Sequence, residues 1–409
     1  MFSRRTQNSA ILKILIAFGV WQTMEEWSKL LVPYLQWTLK PQMDMFKIGV
    51  LNAVSNGFIL LGTFFIGHLL DSWGIKFTAV AVTVISSAYC FVISQTSTYV
   101  AFLCAQVLRV AHHFPQITEA FVGSVVDTDD EKSRTRVLMK LSIPLGVALI
   151  TGPWLAVQSF FLVGYNLHHS QAVVGVLLMV VMLPIILFAL PEPVHTKNSS
   201  LRSLPGPRLY MQLLKSPALR WSLLMKFLVD APYQAYDQLS RQYLIIHFVS
   251  NPSDMSHVFI VIGITTLLTN LLLIQQLQKR FGAQNLLQIA LVILTLSYLA
   301  LSQVSSYYHV LVVMPIQVIG VSIAYAELVG QVIGAVERPD IGKATGLNQC
   351  VSLLAGTMVP ILAGYFVNEY EFALICYLCA FISVVTMGLV YKFGAYMDEQ
   401  RYLPFATHD

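Results

Sequence analysis

About twenty consecutive apolar residues carry an α-helix across a bilayer, and this chain offers such a run again and again. Twelve stand out, at 11–35, 46–70, 77–97, 98–126, 137–163, 171–190, 219–248, 257–278, 284–304, 307–335, 345–367 and 370–393. The fourth, seventh and tenth are the longest and the most polar. Of 409 residues 56% are hydrophobic and only 11% charged, where an ordinary soluble domain carries roughly 25% charged. In hydrocarbon each backbone N–H and C=O needs a partner within its own segment, so runs of this length fold as helices. The expected fold class is an all-α integral membrane protein of twelve transmembrane helices. The polar start, Met1 to Ala10, leads straight into a full-length span, so no cleavable signal peptide is expected.

Basic residues set the orientation. Arg4, Arg5, Lys76, Lys132, Arg134, Arg136, Lys197, Arg202, Arg208, Lys215, Lys279, Arg280, Arg338, Lys343, Lys392 and Arg401 all fall on one side of the alternating spans. The other side has only Lys40 and Lys47, against Asp254, Glu369 and Glu371. By the positive-inside rule both termini are cytosolic. The net charge of +4 comes from these loops and carries no indication of nucleic acid. A hydrophilic stretch of prolines, serines and basic residues separates six spans from six. The domains read as an N-terminal six-helix bundle (1–190), a cytosolic linker (191–218), a C-terminal six-helix bundle (219–394) and a cytosolic tail (395–409).

Gly67-His-Leu-Leu-Asp71-Ser-Trp-Gly74-Ile-Lys76 joins the second and third spans. The pattern G-x-x-x-D-x-x-G-x-K resembles the loop signature of the major facilitator superfamily. Gln275-Gln-Leu-Gln-Lys279-Arg-Phe-Gly282 is a weak second copy in the matching place of the other half. Gly342-x3-Gly346 and Gly356-x3-Pro360-x3-Gly364 look like that superfamily's eleventh helix. Gly146-x5-Gly152-Pro153 is similar to the fifth-helix signature of drug:proton antiporters, with Ala156 and Val157 where paired glycines usually stand. Within the superfamily the chain looks most like the eukaryotic organic-cation-transporter-like branch, related to tetracycline-type exporters. The resemblance implies two pseudo-symmetric six-helix bundles, alternating access and a site near the midplane. It also implies a gating role for Gly67, Asp71, Gly74 and Lys76, with Arg134 and Arg136 as partners for Asp71.

Ionisable residues within the spans should hold the chemistry, because each costs about 2.5–3.5 kcal/mol at a helix centre. Gln22, Glu25, Glu26 and Lys29 form one polar stripe in the first span. Two acids against one lysine suit proton or cation binding, and an internal ion pair equally. In the fourth span Gln106, Arg109, His113 and Gln116 step by three and four, with His112 adjacent and Pro115 predicting a kink. Arg109 keeps its charge and needs an acid or an anionic ligand. The imidazoles of His112 and His113 belong to the side chain that exchanges protons nearest neutral pH.

Lys226, Asp230, Gln234, Asp237 and Arg241 share a face of the seventh span, broken by Pro232, with Tyr233 and Tyr236 placed to bracket an organic cation. Cavity lining and internal salt bridges both fit this pattern. Glu327 in the tenth span has no base on its own helix, and Gln331 lies one turn along. Arg109 is its expected partner. Cys376-x-x-Cys379 reads as packing rather than a metal or redox site.

These residues point to a secondary active transporter of a small organic solute, functional as a monomer in contact with membrane lipids. Protons would couple through Glu25, Glu26, Asp230 and Glu327, so a proton gradient rather than a cofactor would drive it. Gln22, Arg109, His113, Tyr233, Gln234, Asp237 and Gln331 would bind solute. Acids and aromatic rings favour a cationic or amphipathic solute. Arg109, Lys29 and Lys226 suit an organic anion carried with protons. A non-transporting receptor or scaffold on the same fold is the alternative of another class. No nucleotide loop, metal-ligand set or recognisable nucleophile points to an enzyme. Tyr402-Leu-Pro-Phe405 matches a tyrosine-based sorting signal, which suggests an endolysosomal or plasma-membrane address. Asn198-Ser-Ser is a sequon on the cytosolic linker. In a glycosylating cell it is expected to stay unmodified; a glycosidase-sensitive band shift that vanishes in Asn198→Gln would reverse the orientation.

Overall fold

The computed structural model describes residues 4–40, 43–125, 142–189, 212–248, 251–336 and 341–402. Most of the linker, Arg134, Arg136, Asn198 and the end of the tail signal lie outside the described residues. Among those described, twelve helical segments follow one another. They are α1 (Arg4–Thr38), α2 (Met45–Trp73), α3 (Ile75–Gln95), α4 (99–125), α5 (Ser142–Leu162) and α6 (167–189). Then come α7 (Pro217–His247), α8 (252–280), α9 (Ala283–Leu301), α10 (Tyr307–Gly334), α11 (Ile341–Glu369) and α12 (Phe372–Tyr402).

Nine of these helices are long and apolar enough to cross a membrane. The exceptions are α1, α4 and α7. α10, expected among the polar helices, is one of the nine, and α1 takes its place. The reason is charge density: α1 crowds Glu25, Glu26 and Lys29 into one stretch, whereas α10 carries a single acid.

α4 is broken rather than kinked. Tyr99–Ala105 is α-helical, Gln106–Ala111 is a 3₁₀ helix, His112 leaves helical space (φ −77°, ψ 59°), and Phe114–Val125 begins anew. Pro115 has no N–H to give and its ring excludes the carbonyl four residues back. A proline therefore suits the first turn of a new helix better than the interior of an old one.

The Gly67–Lys76 motif is likewise not a loop. α2 continues to Trp73 and α3 starts at Ile75, so Gly74, at φ 85°, turns the chain alone. Glycine reaches that left-handed region without a Cβ clash. Gly67 and Asp71 thus belong to the last turns of α2, and Lys76 to the first turn of α3.

The chain forms two compact units. The first comprises Met1–Met43, Val54–Leu201 and Ile245–Leu267; the second comprises Asp44–Ala53, Arg202–Leu244 and Leu268–Asp409. In the first, α1 packs on α4, α5 and α6, and α3 packs on α4 and α6, around buried Trp21, Phe102, Phe114 and Phe121. In the second, α9 packs on α10 and α12, and α11 on both of these, around Leu286, Leu291 and Tyr298. Large apolar side chains such as Leu61, Phe65, Leu162, Phe188, Val312 and Phe381 are exposed. Water would oppose that surface, and lipid chains would not.

α2 and α4 approach closely at Gly62, where an added Cβ would land on the Val110 carbonyl oxygen and 2.6 Å from His113 Nε2. Gly62→Val is expected to destabilise the protein by about 1–3 kcal/mol, the usual cost of overpacking. Melting in detergent checks this against Gly330→Ala, whose Cβ meets nothing within 4 Å and which should leave the transition in place.

Candidate functional site

In the first unit the polar stripe of α1 meets the break in α4. Arg109 Nη1 donates to Glu25 Oε1 at 3.2 Å, and His112 Nδ1 lies 3.4 Å from Glu25 Oε2. The Trp21 ring stands 5.0 Å from His112 and stacks on Phe114 at 5.6 Å. The Arg109 guanidinium also faces the Tyr89 ring, 5.3 Å from its centre. Next door, Glu26 Oε1 accepts from Lys29 Nζ at 2.7 Å and from Gln22 Nε2 at 2.8 Å. The acid left over in the α1 stripe therefore finds its counter-charge on α4, and the two acids are matched by two cations. A cavity of about 20 Å³, enough for one water, is lined by Glu25, Ser28, Tyr89, Cys90, Arg109 and His112 among others. Arg109 Nε is buried there with no acceptor among the described residues.

His113 does not join this group. Its Nε2 lies 2.8 Å from the Ile59 carbonyl of α2, buried, in a packing role. His112, adjacent to the expected residue, occupies the site instead. A 3₁₀ helix has three residues per turn, so positions three apart eclipse. Arg109 therefore lines up with His112, whereas α-helical counting pairs it with His113.

In the second unit, Lys226 Nζ donates to Asp230 Oδ1 at 2.8 Å, with the two side chains 4% and 0% exposed. Ser352 Oγ, from α11, donates to Asp230 Oδ2 at 2.6 Å. The Lys226 ammonium stands 3.6 Å from the centre of the Tyr325 ring of α10. Tyr233 meets Tyr325 edge-on at 5.8 Å. Tyr236 does not bracket a cation: its hydroxyl donates to Met314 Sδ at 3.2 Å and its ring packs near Tyr298 and Phe372. Gln234 Oε1 accepts from Gln238, 2.7 Å away, and Asp237 pairs with Arg241 at 2.9 Å, about a quarter exposed.

Glu327 accepts from Gln278 Nε2 of α8 at 2.9 Å, and no cation pairs with it among the described residues. Arg109 of the first unit and Glu327 of the second each have a partner within their own unit. Glu327 also stands seven residues before Gly334, about 10 Å from the end of α10 and well short of its middle. Gln331 is half-buried one turn beyond it. Cys379 Sγ donates to the Pro232 carbonyl at 3.3 Å, and both it and Cys376 are buried. Among the described residues no His, Cys, Asp and Glu cluster has a metal-holding arrangement.

Tyr325, Ser352 and Gln278 went unnoticed in the sequence. Each meets its partner from a different helix, and such a contact leaves no trace in the spacing along one helix.

Residues 239–404 match the family model described as Major Facilitator Superfamily. No curated protein matches the chain. Among solved structures it is similar to the nucleoside transporter NupG, at 16% identity over 93% of this chain and 98% of that one, with TM-score 0.72. A mutant form of NupG is similar at 18% identity over 94% of this chain and 98% of that one, with TM-score 0.71. The human organic anion transporter MFSD10 (TETRAN) is similar at 13% identity over 94% of this chain and 99% of that one, with TM-score 0.67. The chain therefore has the major facilitator fold, that of an all-helical, multi-pass membrane protein. The superfamily matched is one of transporters, not of enzymes.

The Glu25–Arg109 pair is largely but not fully buried, its side chains 11% and 16% exposed, so removing one partner should cost up to about 3 kcal/mol, the low end for buried pairs. Arg109→Gln should lose that much against unfolding in detergent. Glu25→Gln with Arg109→Gln should recover most of it, and equal losses in the single and double variants would remove the pair from the site.

Proposed function

We propose that this chain of major facilitator fold is a secondary active transporter, moving a small organic solute by alternating access and coupled to protons. The observation that carries the reading is Asp230. It is fully buried near the middle of α7, held by Lys226 and by a hydroxyl from another helix. A charge at that depth is expensive and is normally kept for transport. A proton on Asp230 would dissolve its pair with Lys226, so protonation and solute binding compete for one carboxylate. Glu25, bound to Arg109 and His112 on a broken helix, is the corresponding acid of the first unit; discontinuous helices are a common setting for transporter sites. Glu26 and Glu327 take secondary parts, the first neutralised by Lys29 and the second near a helix end.

Because three of the four coupling acids are ion-paired, an incoming solute meets little free negative charge. This narrows the solute to an amphipathic molecule of low net charge, or to a cation that displaces a resident one. A second reading, organic anion with proton, has one observation in its favour: Arg109 Nε, buried without an acceptor among the described residues, would suit a carboxylate. The similar structures are a nucleoside transporter and an organic anion transporter, so both solute classes belong in the test. Both termini would lie in the cytosol of an endolysosomal or plasma membrane, and the monomer would suffice.

The test is solute-driven proton movement in liposomes holding purified protein and a trapped pH dye, with nucleosides, organic anions and organic amines added in turn. At least one class should move protons. Asp230→Asn should lower that flux more than tenfold and Glu327→Gln less than threefold. Full activity in Asp230→Asn would remove it as the coupling acid. Silence for every class in the wild type would favour the receptor or scaffold.

A further inference from the structure

Lys226 is seated in a manner that suggests a ligand. Its ammonium touches a carboxylate oxygen at 2.8 Å and the face of an aromatic ring at 3.6 Å. Those two contacts, an anion on one side and a π face on another, are the general means of binding an alkylammonium away from water. Each wall has a partner besides the lysine. The second oxygen of Asp230 is held by Ser352 of α11, and the Tyr325 ring is steadied by the edge of Tyr233. The lysine itself is a point charge on a flexible four-carbon stem, joined to the niche by its tip. Withdrawing it would leave a carboxylate and a ring face still in place.

We infer that the niche between Asp230 and Tyr325 is a seat for the protonated amine of a solute, which Lys226 fills in the unloaded protein as an internal stand-in. The inference rests on the transport reading above and deepens it. The solute class is a primary or secondary organic amine with an apolar body. Its ammonium displaces that of Lys226 from Asp230, while the ring of Tyr325 selects an organic ammonium over a bare metal cation. No bond is made or broken; one cation replaces another.

The experiment empties the seat. Lys226→Ala, purified in detergent, is titrated by thermal shift with 2-phenylethylammonium, with the neutral 2-phenylethanol, and with sodium. The ammonium should bind at least tenfold more tightly than to wild type, with no gain for the alcohol or for sodium. Adding Tyr325→Leu should lower the gained affinity severalfold, and adding Asp230→Asn should abolish it. Equal gains for the alcohol would mean a filled cavity rather than an ammonium seat, and no gain at all would overturn the inference. Should Lys226→Ala aggregate, purification in ethylammonium ought to restore monodisperse protein; failure to do so also counts against the seat. The transport reading fails differently, as absence of flux in wild-type liposomes, whatever the detergent titrations give.

Discussion

Charge in hydrocarbon is the constraint around which this protein is organised. An ion without a partner is penalised by several kcal/mol, so each one left in the interior requires a structure that accommodates it. In the first unit that structure is the contact of α1 with the broken α4, which brings Arg109 and His112 to Glu25. In the second it is one turn of α7 with a hydroxyl from α11 and a ring from α10. The charged members of these groups lie on α1, α4 and α7, the three helices outside the nine, α4 because it is broken into pieces too short to span. In α1 and α7, lower apolarity and interior ion pairs are two views of one fact.

The fold was legible because a bilayer simplifies the folding problem. Length and apolarity alone marked the helices, and most observed boundaries lie within a few residues of the runs. The links within one helix were legible too: Lys226 with Asp230, Asp237 with Arg241, and Glu26 with Lys29 follow from the 3.6-residue period. Links between helices were not. Glu25 and Arg109 lie 84 positions apart, and Asp230 and Ser352 lie 122 apart, so neither pair leaves a local trace. The exchange of His113 for His112 has another cause. Periodic reading assumes one helix type throughout, and six residues of 3₁₀ structure shift every side chain that follows.

The resemblance to the major facilitator superfamily, first carried by a ten-residue motif, acquires a different physical meaning in the structure. The motif contains little connecting chain. Its glycine at 74 lets two long helices follow each other with one residue between them. Close approach at Gly62 then sets α2 against the 3₁₀ segment of α4, so the shape of the break is buttressed from α2.

The pairing of interior charges also has a consequence for electrical behaviour. Moving one elementary charge through the full membrane potential is worth about 2.3 kcal/mol per 100 mV. In Glu25–Arg109, Glu26–Lys29, Asp230–Lys226 and Asp237–Arg241 each negative charge travels with a positive one. A displacement of such pairs transfers no net charge, and Glu327, near its helix end, would cross little of the field. On the transport reading proposed above, the unloaded protein would reorient almost without sensing voltage. On the same reading, any current would belong to what it has bound.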